Sequence, residues 1–401
     1  MRKYLIVVFL FLFSVPSVKS INTDSLQVSL LTVMPRPNEV YTVYGHSALR
    51  LYYPEKGIND VYNWGIFSFN HSFFLYRFIK GETDYSLGVS DYNEFLYYYA
   101  LGNSTIEEQV LNLSSGEKEK LLEILSNNLL PQNIVYRYNF LFDNCTTRIR
   151  DIIEKITDNR VIYPASEKEV TFRDLIRSCT SPYPWMSFGI DLIIGNGADS
   201  LINVRQQMFL PVNLKEFWDE SYVIEKTDST TVKRPIVELS QTILKTESQQ
   251  NEKTASFFDA FRVGILIFVF YLIVTVWSIR KKRMFKGVFS ILFLIAGLCG
   301  IVVGFLLFFS EHPCVSPNWN ILWLHPLHFI GFAGYFFKKS YPLITLFHGL
   351  NLVLLCILLF GWLWIPQTLN TANIPYALCL FLASVSWFYY MKKNKRFRFG
   401  K

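Results

Sequence analysis

The amino-terminal half of this chain contains few residues of the types that act together as nucleophile and base. Up to residue 235 there are two histidines, His46 and His71, and two cysteines, Cys145 and Cys179. A cysteine thiolate is a strong nucleophile, and a neighbouring imidazole activates it and later returns a proton to a leaving group. A thiol–imidazole site can therefore be built in only a few ways.

Cys145 has the sequence context of a reactive cysteine. It follows Asp143 and Asn144, either of which is a suitable N-cap, so it falls in the first turn of the helix predicted to follow. The positive end of a helix dipole lowers the pKa of a thiol at this position. The backbone amides of the same turn are candidates for holding the oxyanion of a tetrahedral intermediate. We therefore predict that Cys145 is the nucleophile.

His46 is the predicted partner of Cys145. It follows Gly45 in a run with the β-branched, aromatic and alternating character of a strand. If this strand packs on the helix of Cys145, the imidazole reaches the thiol. A polar residue on the neighbouring strand is then needed to orient the far ring nitrogen, and Asn63 is the best-placed candidate.

Non-catalytic interpretations exist for the same residues. Cys145 and Cys179 can form a disulfide in an oxidising compartment. His46 can be a packed strand histidine, and His71, between Asn70 and Ser72, is typical of a loop. The histidines and cysteines lack the spacing of a metal cage, so we expect neither a metal nor another cofactor.

The elements that would position these residues are strands first and helices later, which predicts an α+β domain. Residue patterns predict strands at Gln27–Met34, Val43–Tyr53 and Val61–Phe69, and helices at Ser115–Leu129 and Thr146–Ile156. In the second helix, Ile149, Ile152, Ile153 and Ile156 are spaced to form one buried face. The apolar segment Pro182–Gly195 is too short to span a bilayer; it fits a helix lying against the membrane beside the site, or an ordinary core helix.

The chain begins with the pattern of an export signal and ends with that of a membrane bundle. Residues 1–20 have a basic start, a short apolar run and small residues at a cleavage position, which predicts a signal peptide. The mean hydropathy of the whole chain is +0.23. Apolar segments near 263–279, 288–309, 321–337, 342–365 and 373–391 predict about five transmembrane helices.

The net charge of +7 does not indicate a nucleic-acid partner, because the basic residues cluster beside the apolar segments. Such clusters mark cytoplasmic loops. They are Arg280–Arg283 with Lys286, Lys338 with Lys339, and Lys392 with Lys393, Lys395 and Arg396. We accordingly predict a signal peptide (1–20), an exported domain (21–235), a linker (236–260), a transmembrane bundle (261–391) and a cytoplasmic tail (392–401).

Several motifs together resemble the Lnb-type lipoprotein N-acyltransferase family. They are Tyr44–Leu51, Asp143–Arg148, Thr171–Arg173, Trp185 with Phe188–Asp191, Phe209–Pro211, Glu311–Pro313 and Ser316–Asn320. The resemblance implies a periplasmic thiol acyltransferase domain on a bundle in the bacterial inner membrane. It implies a membrane phospholipid as acyl donor and the amino-terminal cysteine of a lipoprotein as acceptor. The domain also resembles the circularly permuted papain-like group, in which histidine precedes cysteine.

The resemblance also assigns roles to single residues. Cys145 and His46 would be catalytic, and Arg173, Trp185, Asn318 and Asn320, which lie in the matching motifs, are the candidates for binding substrate. Arg173 and Asp191 can instead pair with each other. Two other functions fit the same residues: a cell-wall peptidase or amidase of the NlpC/P60 kind, and a non-catalytic envelope sensor or assembly factor with a Cys145–Cys179 disulfide.

Overall fold

The computed structural model describes residues 23–36, 42–67, 73–166, 168–226, 230–246 and 258–398. The predicted signal peptide and His71 lie outside these ranges. The strands are β1 Gln27–Val33, β2 His46–Tyr53, β3 Ile58–Ile66, β4 Asp84–Asp91, β5 Ile106–Leu111, β6 Val135–Arg137, β7 Val161–Ile162, β8 Val170–Thr171, β9 Leu201–Ile202, β10 Tyr222–Lys226, β11 Thr231–Pro235 and β12 Val237–Leu244.

Helices follow the first strands and dominate the carboxy-terminal part. They are α1 Phe74–Lys80, α2 Tyr92–Leu101, α3 Ser115–Asn128, α4 Cys145–Ile156, α5 Phe172–Thr180, α6 Pro184–Ile193, α7 Val204–Gln207, α8 Pro211–Asp219, α9 Ala260–Arg280, α10 Lys286–Phe309, α11 His328–Gly334, α12 Tyr341–Phe360 and α13 Asn373–Arg398. The α+β class and the carboxy-terminal helical bundle are as predicted.

A seven-stranded antiparallel sheet is the frame of the first domain. Its strand order is β12-β5-β1-β2-β3-β4-β6. The predicted isoleucine face of α4 is buried against the sheet, in a core shared with Leu30, Leu49 and Leu51. Burial of these side chains fixes α4 across β2 and β3, which is the arrangement that brings Cys145 to His46.

The predicted linker begins too early in the sequence. Residues 237–244 form β12, which pairs with β5 at the edge of the sheet. Most of its side chains are exposed. An exposed edge strand has a polar composition, and this composition led to the prediction of a linker.

The bundle differs from the prediction at its third helix. Within the described residues, four helices are long and apolar enough to cross a membrane: Ala260–Arg280, Lys286–Phe309, Lys338–Phe360 and Asn373–Lys393. The predicted third span, 321–337, instead contains the end of a 3₁₀ turn, Trp319–Leu322, and the seven-residue α11.

The segment between α10 and α12 nevertheless extends back along the whole length of α10. Glu311, just after the end of α10, is bonded to the first domain through Lys80. Tyr341 is bonded to Lys286 at the beginning of α10. Irregular backbone is tolerated at such depth only where neighbouring protein surrounds it. In the helical part of the segment, α11, the carbonyl of Phe332 accepts from Ser290 Oγ of α10 at 2.8 Å.

Candidate functional site

The reactive cysteine is placed by a capped helix start. Asn144 is the N-cap of α4, and its Oδ1 accepts from the amides of Thr146 at 2.9 Å and Thr147 at 2.8 Å. Its side-chain nitrogen donates to the carbonyls of Phe140 and Phe209, which fixes the cap in the core. Cys145 is therefore the first residue of α4, as predicted from the sequence. Cys145 and Cys179 are both free thiols.

A glycine places His46 at the start of β2. Gly45 has a φ of 77°, and a Cβ at this position would lie 2.6 Å from the carbonyl oxygen of Val33. Only glycine adopts this backbone conformation so close to the neighbouring strand without strain. The chain then enters β2 with the imidazole facing α4.

His46 joins Cys145 to Asn63. His46 Nε2 lies 2.7 Å from Asn63 Oδ1 and, since an amide oxygen only accepts, Nε2 carries the donated hydrogen. The imidazole is therefore left with Nδ1 to pair with Cys145. The three side chains come from β2, β3 and α4, which the sheet and the isoleucine face hold together.

Electrostatics at this site favour a thiolate–imidazolium pair. Burial alone would raise the pKa of Cys145. The charge and hydrogen bond of His46, with hydrogen bonds from the Ser47 backbone and the Thr146 hydroxyl, instead lower it to about 7. Burial disfavours the charged imidazole, yet the thiolate and Asn63 together raise the pKa of His46. A thiolate is thus accessible near neutral pH.

Three tyrosines around the thiol were not found from the sequence. Burial raises the pKa values of Tyr99, Tyr136 and Tyr138, and the negative charge of Cys145 raises them further. Each phenol therefore keeps its proton. The Tyr136 hydroxyl is buried and has no hydrogen-bond partner within the described residues. No sequence signal marks these residues, because the pairing of β6 with β4 brings Tyr136 into place.

Arg173 is at the centre of an ion-pair network. It is 1% exposed. Its guanidinium donates to Asp191 at 3.0 Å, to Asp199 at 2.7 Å and to the carbonyl of Gly195 at 2.8 Å. This is the pairing anticipated as the alternative to substrate binding, and it holds α5, α6 and the following turn together.

Asn318 and Asn320 bind the end of α6 from the bundle side. Asn318 Nδ2 donates to the carbonyl of Leu192 at 2.8 Å, and Asn320 Nδ2 to that of Asp191 at 3.1 Å. Gln367 and Asn370 add hydrogen bonds to the Ile194 carbonyl and the Asp191 carboxylate. We call this set the polar joint; its members are Arg173, Asp191, Leu192, Ile194, Gly195, Asn318, Asn320, Gln367 and Asn370.

Trp185, the fourth candidate substrate-binding residue, lies on the same side as the polar joint. It is 49% exposed, and its indole nitrogen donates to the carbonyl of Phe258 at 2.7 Å, just before α9. On the same helix, Phe188 stacks on Tyr376 of α13. The helix α6 therefore packs on the bundle, and all four candidates lie at the border between the two parts of the chain.

The fold and the site define a multi-pass membrane protein whose α+β domain carries a cysteine–histidine–asparagine arrangement. Residues 16–178 match the Lnb N-terminal periplasmic domain, and residues 251–395 match the Lnb transmembrane domain. The chain belongs to the Lnb-type family, and its first domain is periplasmic. No curated protein and no solved structure matches it, so the permuted papain-like relationship stays a prediction.

Proposed function

We propose that this protein is a lipoprotein N-acyltransferase of the bacterial inner membrane. It would move an acyl chain from a membrane phospholipid, through a thioester on Cys145, to the amino-terminal cysteine of a lipoprotein. The observation that carries the proposal is the His46 imidazole bonded to Asn63 and paired with a thiol at a helix start, in a domain fastened to a membrane bundle.

The first half-reaction makes the acyl-enzyme. The Cys145 thiolate attacks an ester carbonyl of the phospholipid and forms a tetrahedral intermediate. The carbon–oxygen bond then breaks, and the His46 imidazolium gives its proton to the departing lysophospholipid oxygen. The thioester and a neutral imidazole are left.

The second half-reaction uses the same groups in reverse. The α-amine of the lipoprotein cysteine, whose pKa is near about 8, attacks the thioester. His46 accepts the amine proton as the carbon–sulfur bond breaks, which restores the thiolate–imidazolium pair. Formation of an amide from a thioester makes this step favourable.

The oxyanion of both intermediates needs donors near Cys145. The amides of Thr146 and Thr147 already donate to Asn144, so they do not serve. We assign this role to the Cys145 amide and the protonated Tyr136 hydroxyl. The Tyr136 hydroxyl is buried without a partner among the described residues, and the Cys145 thiolate is near enough to raise its pKa, after the larger effect of burial. Arg148 lies 3.5 Å from the centre of its ring.

The deciding experiment is mass spectrometry of a lipoprotein amino-terminal peptide from cells that lack their own N-acyltransferase. We expect an added acyl chain with the wild-type protein and none with Cys145→Ala. Cys179→Ala is the matched control, because it removes the other free thiol of the domain and should leave acylation intact. Absence of the chain with an expressed, membrane-inserted wild type would overturn the proposal. Peptide release from peptidoglycan would then favour the peptidase.

A further inference from the structure

Helix α1 is apolar yet has no buried residue. Phe73, just before it, is 82% exposed and Leu75 is 69% exposed, and Tyr76 and Phe78 are also exposed. Within the part of the chain that the structure describes, nothing covers this face. A contiguous exposed apolar surface of this kind marks a site of interaction.

The end of α1 is fixed to the outer end of a membrane-spanning helix. The amide of Glu311 donates to the Lys80 carbonyl at 2.7 Å, and Ser310 Oγ to the Ile79 carbonyl at 3.0 Å. Tyr76 packs on Phe305 of α10, with ring centroids 5.9 Å apart. The exposed face of α1 is therefore continuous with the lipid-facing surface of α10.

Charged side chains flank α1 where lipid headgroups would lie. Arg137 bridges Asp84 at 2.9 Å and Glu311 at 3.2 Å, and Arg77 pairs with Asp84 at 2.7 Å. Apolar residues with charges directly beside them are typical of a helix lying in the membrane interface. A lipid bilayer matches both the exposed apolar face of α1 and the charged side chains beside it.

A series of neighbouring aromatic rings, three pairs stacked and one tilted, leads from α1 towards the thiol. Successive centroids are 6.0, 6.2, 5.0 and 4.2 Å apart along the series Phe78, Phe74, Phe67, Tyr85 and Tyr138. Tyr138 is close enough to Cys145 for the thiolate to raise the pKa of its phenol, after the larger effect of burial. We call this series the aromatic stack.

We propose that α1 inserts into the periplasmic leaflet and that the aromatic stack guides one phospholipid acyl chain from there to Cys145. The first part concerns membrane contact alone. The second part rests on the proposed acyl transfer. The two parts are therefore tested by separate measurements.

Membrane contact is tested by photo-crosslinking in the full-length Cys145→Ala protein. A benzophenone amino acid replaces Leu75 or, as the matched control, Val232, which is 48% exposed and lies on β11, paired with β10 in a smaller sheet. The protein is reconstituted in vesicles of phosphatidylethanolamine and phosphatidylglycerol and irradiated. We expect a phospholipid adduct from position 75 and none from position 232. No adduct at 75, or equal adducts at both, would show that α1 lies in water.

The acyl path is tested with Phe74→Asp, which places a carboxylate in the aromatic stack, against Val232→Asp. Thioester formation on Cys145 is measured with vesicle phospholipid and with a water-soluble short-chain thioester as donor. A carboxylate is costly beside hydrocarbon, so we expect the preference for vesicle phospholipid to fall about tenfold in Phe74→Asp and to stay unchanged in Val232→Asp. An unchanged preference would refute the path. If the wild type forms no thioester with either donor, the proposed function fails, and crosslinking still decides the membrane contact.

Discussion

Replacing Asn63 by alanine tests how the imidazole is held. The substitution removes the acceptor of the His46 Nε2 hydrogen, which lies 2.7 Å from the donor. A hydrogen bond to a charged group contributes about 1.5–3 kcal/mol, and one pKa unit corresponds to about 1.4 kcal/mol. Loss of this bond destabilises the imidazolium, which in turn weakens its effect on the thiol.

The direction in which the pKa of Cys145 changes follows from its pairing with His46. His46 lowers the pKa of Cys145 to about 7, so a weaker imidazolium raises the thiol pKa. We expect a rise of at least about one unit. At pH 7 the thiolate fraction then falls from about one half to about one tenth, a roughly fivefold loss of reactivity.

The assay is the rate of Cys145 alkylation by iodoacetamide against pH, read by peptide mass spectrometry so that the other cysteines do not interfere. Asn59→Ala is the matched control: Asn59 lies four residues away on β3 and accepts from Arg50 instead. Asn63→Asp should move the curve to lower pH, because a carboxylate stabilises the imidazolium. Identical midpoints for wild type and Asn63→Ala would refute the orienting role.

Three further predictions follow from single contacts. Tyr136→Phe should slow thioester formation about 10²-fold, as loss of an oxyanion donor does, while leaving the alkylation curve in place; a shifted curve would contradict that role. Asp191→Ala leaves Arg173 with one carboxylate partner. The free energy of unfolding, measured by thermal unfolding in detergent, should therefore fall by about 3 kcal/mol. A fall of less than about 1 kcal/mol would contradict the importance of the Arg173–Asp191 pair. Gly45→Ala should lower the free energy of unfolding by about 1–3 kcal/mol and slow the alkylation of Cys145. Gly57→Ala shares the positive φ but meets no neighbouring atom, so an equal effect of the two would rule out the clash with Val33.

The parts of the fold that were predictable from the sequence depend on local patterns. The isoleucine spacing of α4 and its Asn144 cap are written within a dozen residues, so both the helix and the position of Cys145 could be predicted. The run containing His46 predicted β2 for the same reason. Asn63 was proposed only because β3 was expected beside β2, and the structure places it in contact with His46.

The parts of the fold and of the site that could not be predicted depend on contacts between residues that are far apart in the sequence. Tyr136 and Tyr138 reach the thiol through strand pairing across the sheet, which residue spacing does not encode. Strand β12 has mostly exposed side chains and a polar middle, Ser240–Thr242, which is the composition of a linker. The segment between α10 and α12 is mostly irregular. Some of its polar groups bond to neighbouring segments, as Asn318 and Asn320 do to α6, and average hydropathy does not distinguish such a segment from a continuous helix.

The polar joint has a consequence for kinetics. Its buried hydrogen bonds fix the first domain to the bundle, which holds Cys145 at one height relative to the bundle. Under the proposed function, this protein would meet its lipid-anchored substrates by lateral diffusion in the plane of the membrane. Under the proposed reaction its rate depends on the mole fraction of donor and acceptor within the membrane. Adding inert lipid at constant total substrate should slow turnover, whereas diluting the vesicles in buffer should not.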